Sequence, residues 1–503
     1  MPLHRGIDRF SQGFVRLLQV GLMENIPYAA RGVIRPMLAC LMLLSPFPAT
    51  AADDQSLTLA SFGAVGDDRA DDTQALQKAF RQASGRCLDG EGRTYRVRGT
   101  LRGAADFCLA NARLRQDVAA FDTRPWMRGD CPVEKDAQAL ADCGDPAMPD
   151  PVPAGLDAYL YTRTLLIRPE RGEPPIKVSL RNVTVDRGAS PESGARSDAA
   201  GIWIGNARDL VLEDVEVTGA GKGYGVIIVD SADITIRRLW LHDMVWAPYL
   251  GDAPLLLDRA RHIGWNSVPL REFRRAGDRG ARQNGFYGTR SQEQLTCLSI
   301  EGSSNVLIDD LRIDGCRARF VEGDIPWQTD GMGVGQSSSN IQIENARISD
   351  TWEGIDMGNV DNIALSNAEI TDSFNYAVKV GYQTHAVSLV DSVFSRAGIA
   401  GVVISGPVRD TLIRRVRIDE PGRIFFAGAM QSPWGQGRAG VELDMGNPAQ
   451  HAKAYPTGVL LENVTVRGGR DCPLGLLNRT PERVSLEGLR VSGCEAVSQH
   501  APR

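Results

Sequence analysis

The chain has 503 residues and a formal charge of −6, from 56 Lys+Arg against 62 Asp+Glu. Its 43% apolar content can bury a large core, which excludes wholesale disorder, and the acidic balance argues against a nucleic-acid partner. With 53 glycines and 6% aromatics, the composition suits tight turns between short strands better than a helix bundle.

At the N-terminus, Arg31 and Arg35 precede the apolar run 37–44, followed by Ser45-Pro46-Phe47-Pro48 and Ala49-Thr50-Ala51. A charged stretch, a short apolar stretch and a small-x-small site predict an export signal, with Met23 an alternative start. The run is too short to span a bilayer. Residues 1–51 are assigned to this signal and its upstream extension. The mature chain is expected in the periplasm or secreted, with no integral membrane segment. After Cys40, eight cysteines fall in four local pairs: Cys87/Cys108, Cys131/Cys143, Cys297/Cys316 and Cys472/Cys494. An even number in an exported chain predicts disulfides, paired here by proximity alone.

Residues 57–84 read as a strand, a Gly-rich turn and a helix. Asp71 or Asp72 is placed to cap that helix, whose Ala75, Leu76, Ala79, Phe80 and Ala83 share one side. The carboxylates here are read as structural. Residues 52–170 are assigned to this cap, the first rungs and a disulfide-bearing insertion.

From Ile176 a phrase recurs: a short alternating strand, Asn or Asp, then a second short strand. Ile176-Lys177-Val178-Ser179-Leu180 begins it, and Leu210, Ile234, Val306, Ile341, Ile363, Val387, Leu412, Val459 and Val484 start further copies. The anchors Ile343, Leu365, Leu389 and Ile413 are spaced by 22, 24 and 24 residues. A fixed period with alternation inside each unit predicts stacked β rungs sharing one core. The predicted fold is an all-β solenoid, a parallel β-helix over 171–497 with an N-terminal capping helix. Long loops are expected near 246–296 and 420–456.

The opening Phe62-Gly63-Ala64-Val65-Gly66-Asp67-Asp68, with Asp71-Asp72-Thr73-Gln74-Ala75, resembles the start of the pectate-lyase-like superfamily, which includes polygalacturonase-like family 28 glycoside hydrolases. Asp68 replaces a glycine of their pattern. Glu91–Val97 resembles their next strand. The resemblance implies a right-handed parallel β-helix acting on polysaccharide.

Four rungs align: Thr329–Val334, Trp352–Met357, Asn375–Val380 and Ile399–Ile404. Earlier rungs begin at Ala200 and Tyr224. Equivalent positions stack about 4.8 Å apart. One column reads Ala200, Tyr224, Asp330, Glu353, Tyr376, Ala400; another reads Trp203, Ile227, Gly333, Asp356, Lys379, Val403. Both turn polar in mid-stack. Strict alternation would send Asp330 and Glu353 into the core, at prohibitive cost if ionised, so a turn at strand entry must redirect them.

Gln328-Thr329-Asp330 resembles the Asn-Thr-Asp motif of those hydrolases, which places Asp330 at a catalytic Asp. Trp352-Glu353 stands where they carry Asp-Asp, and Asn375-Tyr376-Ala377 where they carry Gly-His-Gly. Their Arg-Ile-Lys motif has no match around Ala400. Hydrolysis assigns Glu353 as general acid and Asp330 as base, the roles being interchangeable, without a cofactor. Asp356, Tyr376, Lys379 and Tyr382 would bind sugar hydroxyls or a carboxylate; Trp327 and Trp352 would stack on rings. The alternatives are a lyase on uronate-containing glycan, with Lys379 as base and Asp330, Glu353 and Asp356 holding Ca²⁺, and a non-catalytic glycan-binding or exopolysaccharide-assembly protein. His242, His262 and His385 are read as isolated.

Overall fold

The computed structural model describes residues 57–83, 85–117, 163–170, 172–187, 200–219, 223–246, 295–318, 329–373, 375–422, 439–444, 454–469, 472, 474–481 and 484–499. The export signal, Trp327, His262 and the Cys131/Cys143 pair lie outside them. The described chain is a right-handed parallel β-helix. Each coil gives one strand to a 12-stranded sheet and further strands to a 21-stranded sheet. The coil with Glu353–Gly358 in the smaller sheet continues through Val360–Ser366 and Glu369–Thr371 in the larger one. Its neighbours pair with it in parallel on both sides.

The corners explain the recurring Asn, Asp and Gly. This coil turns at Asn359, Asn362, Asn367 and Asp372, all with φ between 52 and 61°. Asn and Asp tolerate that left-handed region because their short polar side chains bond locally. The amides also stack: Asn362 Nδ2 donates to Asn340 Oδ1 at 3.0 Å, and Asn340 Nδ2 to Asn305 Oδ1 at 3.1 Å. The interior is a column of aliphatic side chains. Ile343, Leu365, Leu389 and Ile413 are fully buried there, each worth roughly 1.5–3 kcal/mol.

The one α-helix among the described residues, Thr73–Gln82, packs Leu76, Ala79 and Phe80 onto the first coil. Asp72 stands at its N-cap without capping it. Its buried carboxylate instead accepts from the Val65 and Gly66 amides, while Asp71 accepts from the Thr73 amide. Both carboxylates thus secure the turn before the helix.

Most of the two segments expected to be loop (247–294, 423–438 and 445–453) lies outside the described residues. Leu295–Glu301 and Ala439–Asp444 are strands of the 12-stranded sheet, inside or at the edge of the segments expected to be loop. The disulfides Cys87–Cys108, Cys297–Cys316 and Cys472–Cys494 are formed, which fits an oxidising compartment. No helix among the described residues is long and apolar enough to cross a membrane.

Near the start of each strand in the 12-stranded sheet stands a small residue: Gly331, Gly354, Ala377, Gly401 and Gly440 in five consecutive strands. A Cβ on Gly354 would collide with Ala377 O and with the core methyl Ile370 Cγ2. One on Gly331 would lie 2.8 Å from Ile348 Cγ2. These positions point inward, and so do the residues after them, Met332 and Ile355. Only a minimal side chain lets two successive residues face one core. Gly354→Val is therefore expected to cost about 2–3 kcal/mol in urea unfolding. Gly333→Ala, whose Cβ would meet Thr296 Cγ2 at an ordinary 3.5 Å, should change stability by less than about 0.5 kcal/mol.

Candidate active site

The inward pair decides where the acids go. With Gly354 and Ile355 both facing the core, Glu353 is turned to the outer face, the side that carries Asp356. Asp330, preceding Gly331, is turned the same way. The alternation that would have buried Asp330 and Glu353 in the core is broken by the small residue, not by a turn before the strand. The aligned columns hold: Asp330 pairs with Glu353, Gly333 with Asp356, Asp356 with Lys379, Tyr376 with Ala400 and Lys379 with Val403.

Asp330, Glu353 and Asp356 each bring one carboxylate oxygen within 4.8 Å of the others. Lys379 Nζ donates to Asp356 Oδ2 at 2.8 Å and to Glu353 Oε2 at 3.1 Å. Asn375 Nδ2 donates to Glu353 Oε1 at 2.9 Å. The Glu353 side chain is 0% exposed, whereas Lys379 and Asp356 keep 18% and 19%. Tyr382 is 37% exposed. The cluster therefore opens to solvent through Asp356, Lys379 and Tyr382, with Glu353 beneath them. Burial raises the Glu353 carboxyl to about 7. Asp356 reinforces the rise by repulsion, while Lys379 and Asn375 oppose it. Burial thus pushes Glu353 toward its protonated form, against the donors Lys379 and Asn375.

Tyr382 stands at a recurring left-handed corner of the coil. Its φ is 56°, at a corner where the preceding coils carry Gln336 and Asn359. Its ring lies over Gly358, where a Cβ would be 2.7 Å from Tyr382 Cδ2. Burial raises its phenol pKa, so the hydroxyl stays a hydrogen-bond donor. Trp352 and Tyr376 are buried. Neither presents an open stacking face.

Sequence reasoning passed over several groups. Asn375 was aligned but given no role. Thr296, Ser299 and Glu301 come from the Leu295–Glu301 strand, where Cys297 hides the small-residue signal. Glu442 and Asp444 come from Ala439-Gly440-Val441-Glu442-Leu443, which repeats the Ala400-Gly401-Val402-Val403-Ile404 pattern and was legible by it. His242 is not isolated: its ring bonds Glu216 Oε1 at 2.9 Å and Asp243 Oδ2 at 2.7 Å, away from this sheet.

The donors do not fit calcium. That ion takes about six to eight oxygens. Here three carboxylates offer one oxygen each, and the Lys379 ammonium already lies between two of them.

A family model described as a right-handed β-helix region matches residues 281–419. No curated protein matches the chain. The A-module of an Azotobacter vinelandii mannuronan C-5 epimerase is similar in fold, with 14% identity over 89% of this chain and 99% of its own, at a TM-score of 0.44. The Streptococcus pneumoniae surface adhesin PfbA has 11% identity over 88% and 93%, at 0.47. The Yersinia enterocolitica family 28 exopolygalacturonase has 12% identity over 89% and 78%, at 0.45. These likenesses concern the coil alone.

The raised Glu353 pKa has a sign in stability. A carboxyl whose folded value, about 7, exceeds its ordinary 4.5 stabilises fully below 4.5, and that contribution is lost as pH rises through 7. Urea midpoints of the wild type should fall between pH 5 and pH 8 more steeply than those of Glu353→Gln; parallel curves would contradict the assignment.

Proposed function

We propose that this protein is an exported glycoside hydrolase whose acid–base apparatus is the Asp330/Glu353/Asp356 cluster. The observation that carries this reading is geometric: a fully buried carboxyl, Glu353, with an oxygen within 4.8 Å of those of two further carboxyls on the outer face of the sheet, and burial pushes its pKa up. Hydrolysis of a glycosidic bond needs one group to protonate the leaving oxygen and another to activate water or attack. Glu353 supplies the proton. Asp330 and Asp356 present the carboxylates, and Asp356 stands nearest solvent. Lys379 keeps the cluster from excess negative charge and, with Asn375, fixes the Glu353 carboxyl in orientation. Tyr382 offers an exposed ring to a sugar face. The resemblance of Gln328-Thr329-Asp330 to the hydrolase motif supports the same roles, and the disulfides support export.

The lyase reading is weaker on geometry. Lys379 engages its protons with Glu353 and Asp356, which opposes service as a base at a sugar carbon, and the calcium site it would need is compromised. A non-catalytic glycan-binding role gives the protonated Glu353 no task.

On a panel of plant and bacterial polysaccharides, the mature chain should release reducing ends without ultraviolet-absorbing unsaturated sugar, and chelator should not change the rate. Glu353→Gln and Asp330→Asn should each lower the rate by about 10²–10⁴-fold with little change in melting temperature. Full activity in both variants would remove the proposal; chelator-sensitive ultraviolet absorbance would replace it with the lyase.

A further inference from the structure

We infer that the disulfide Cys297–Cys316 positions Asp330 for the reaction, holding its strand so that the carboxyl stays beside Glu353; this rests on the hydrolase reading and adds the group that places its base. The two cysteines close one coil on itself. Cys297 lies in the strand Leu295–Glu301, between Thr296, which pairs with Asp330, and Leu298, which pairs with Met332. Cys316 stands at the far end of that coil, two residues beyond Asp314 of the larger sheet. Both cysteines are fully buried, and Cys316 Sγ lies 3.2 Å from the backbone oxygen of Asp330. The bridge therefore rests against the backbone that carries the acid.

The next coil shows what the bridge stands in for. Asp314 pairs with Ser349, so Thr351 is the counterpart of Cys316, as Gly331 is of Cys297. A Cβ on Gly331 would lie 3.1 Å from Thr351 Cγ2, so the same two positions meet there without a covalent bond. Thr351 leads into Glu353 within two residues, and its own counterpart Ser373 leads into Tyr376 within three. A corner that short fixes where the next strand begins. Asp330, by contrast, follows Cys316 by fourteen residues. A longer connection constrains its ends less, because the entropy of closing it grows with length. The covalent link holds the Cys316 corner against Cys297 and so fixes the support on which the Asp330 carbonyl rests.

A second bridge in the same molecule separates positioning from general stabilisation. Cys472–Cys494 spans 22 residues and Cys297–Cys316 spans 19, so the two constrain the unfolded chain to nearly the same degree. Cys472 Sγ lies 3.4 Å from the backbone oxygen of Leu474, whose strand is five strands away from that of Asp330 in the 12-stranded sheet. What the bridges do differently is therefore a property of the folded coil. Asp330 keeps an oxygen within 4.8 Å of those of Glu353 and Asp356, and displacements of about 1 Å in such a group are enough to slow a reaction.

The test gives this coil the pair that the next coil carries. Cys297→Gly/Cys316→Thr is compared with Cys472→Ala/Cys494→Ala by amide hydrogen exchange and by steady-state rates on a polysaccharide that the wild type cleaves. In the first variant, exchange in Thr329–Gly335 should quicken about ten-fold or more relative to Glu353–Gly358, and kcat should fall about ten-fold with KM changed less than about two-fold. In the second variant neither should change. Equal exchange in the two strands of the first variant, or an unchanged kcat, would overturn the inference and leave the bridge a general stabiliser, with the hydrolase reading still standing. Should the wild type cleave no polysaccharide, the hydrolase reading falls and the exchange comparison alone decides whether the bridge holds the Asp330 strand. Should the first variant fail to fold, Cys297→Ala/Cys316→Ser is measured in its place against the same outcomes.

Discussion

Two neighbouring residues facing the same core is the constraint on which the site depends. A β-strand normally alternates its faces. In this sheet a small residue near each strand start lets the chain put two positions inward before alternation resumes. The residue ahead of the small one is then committed to the outer face, whatever its chemistry. In most rungs that residue is Ala, Thr or Tyr. In two consecutive rungs it is Asp330 and Glu353, which become stacked acids on a rigid surface instead of buried charges in a hydrophobic core.

Stacking at rung spacing then sets the electrostatics. Carboxyls brought this close cannot all ionise cheaply, and the fold relieves the strain in two ways. Lys379, one rung beyond Asp356, brings a positive charge, and burial pushes the carboxyl of Glu353, the most deeply buried member, toward its protonated form. A buried ion pair is weak support for stability, because desolvation offsets much of the attraction. Three carboxyls and an ammonium gathered on adjacent rungs suit a chemical role better than a structural one.

Much of this was legible in the sequence. The anchors Ile343, Leu365, Leu389 and Ile413 were visible because a solenoid repeats its core at a fixed interval. The pairing of Asp330 with Glu353, and of Asp356 with Lys379, followed from the same interval. Other features were hidden for physical reasons. Alternation at period two gives the wrong face for Glu353, because the Gly354 device is a property of packing. The Leu295–Glu301 rung was lost because a disulfide cysteine, Cys297, takes the glycine position. The depth of Glu353 under Lys379, and hence its proton, depends on side chains from two coils and cannot be read from either alone.

The most direct measurement is the infrared carbonyl stretch of the Glu353 carboxyl, taken as the wild-type minus Glu353→Gln difference spectrum across pH. The account predicts a protonated-carboxyl band that persists at pH 6 and disappears with a midpoint near 7. A band that vanishes near the ordinary 4.5, leaving Glu353 ionised at pH 6, would contradict it.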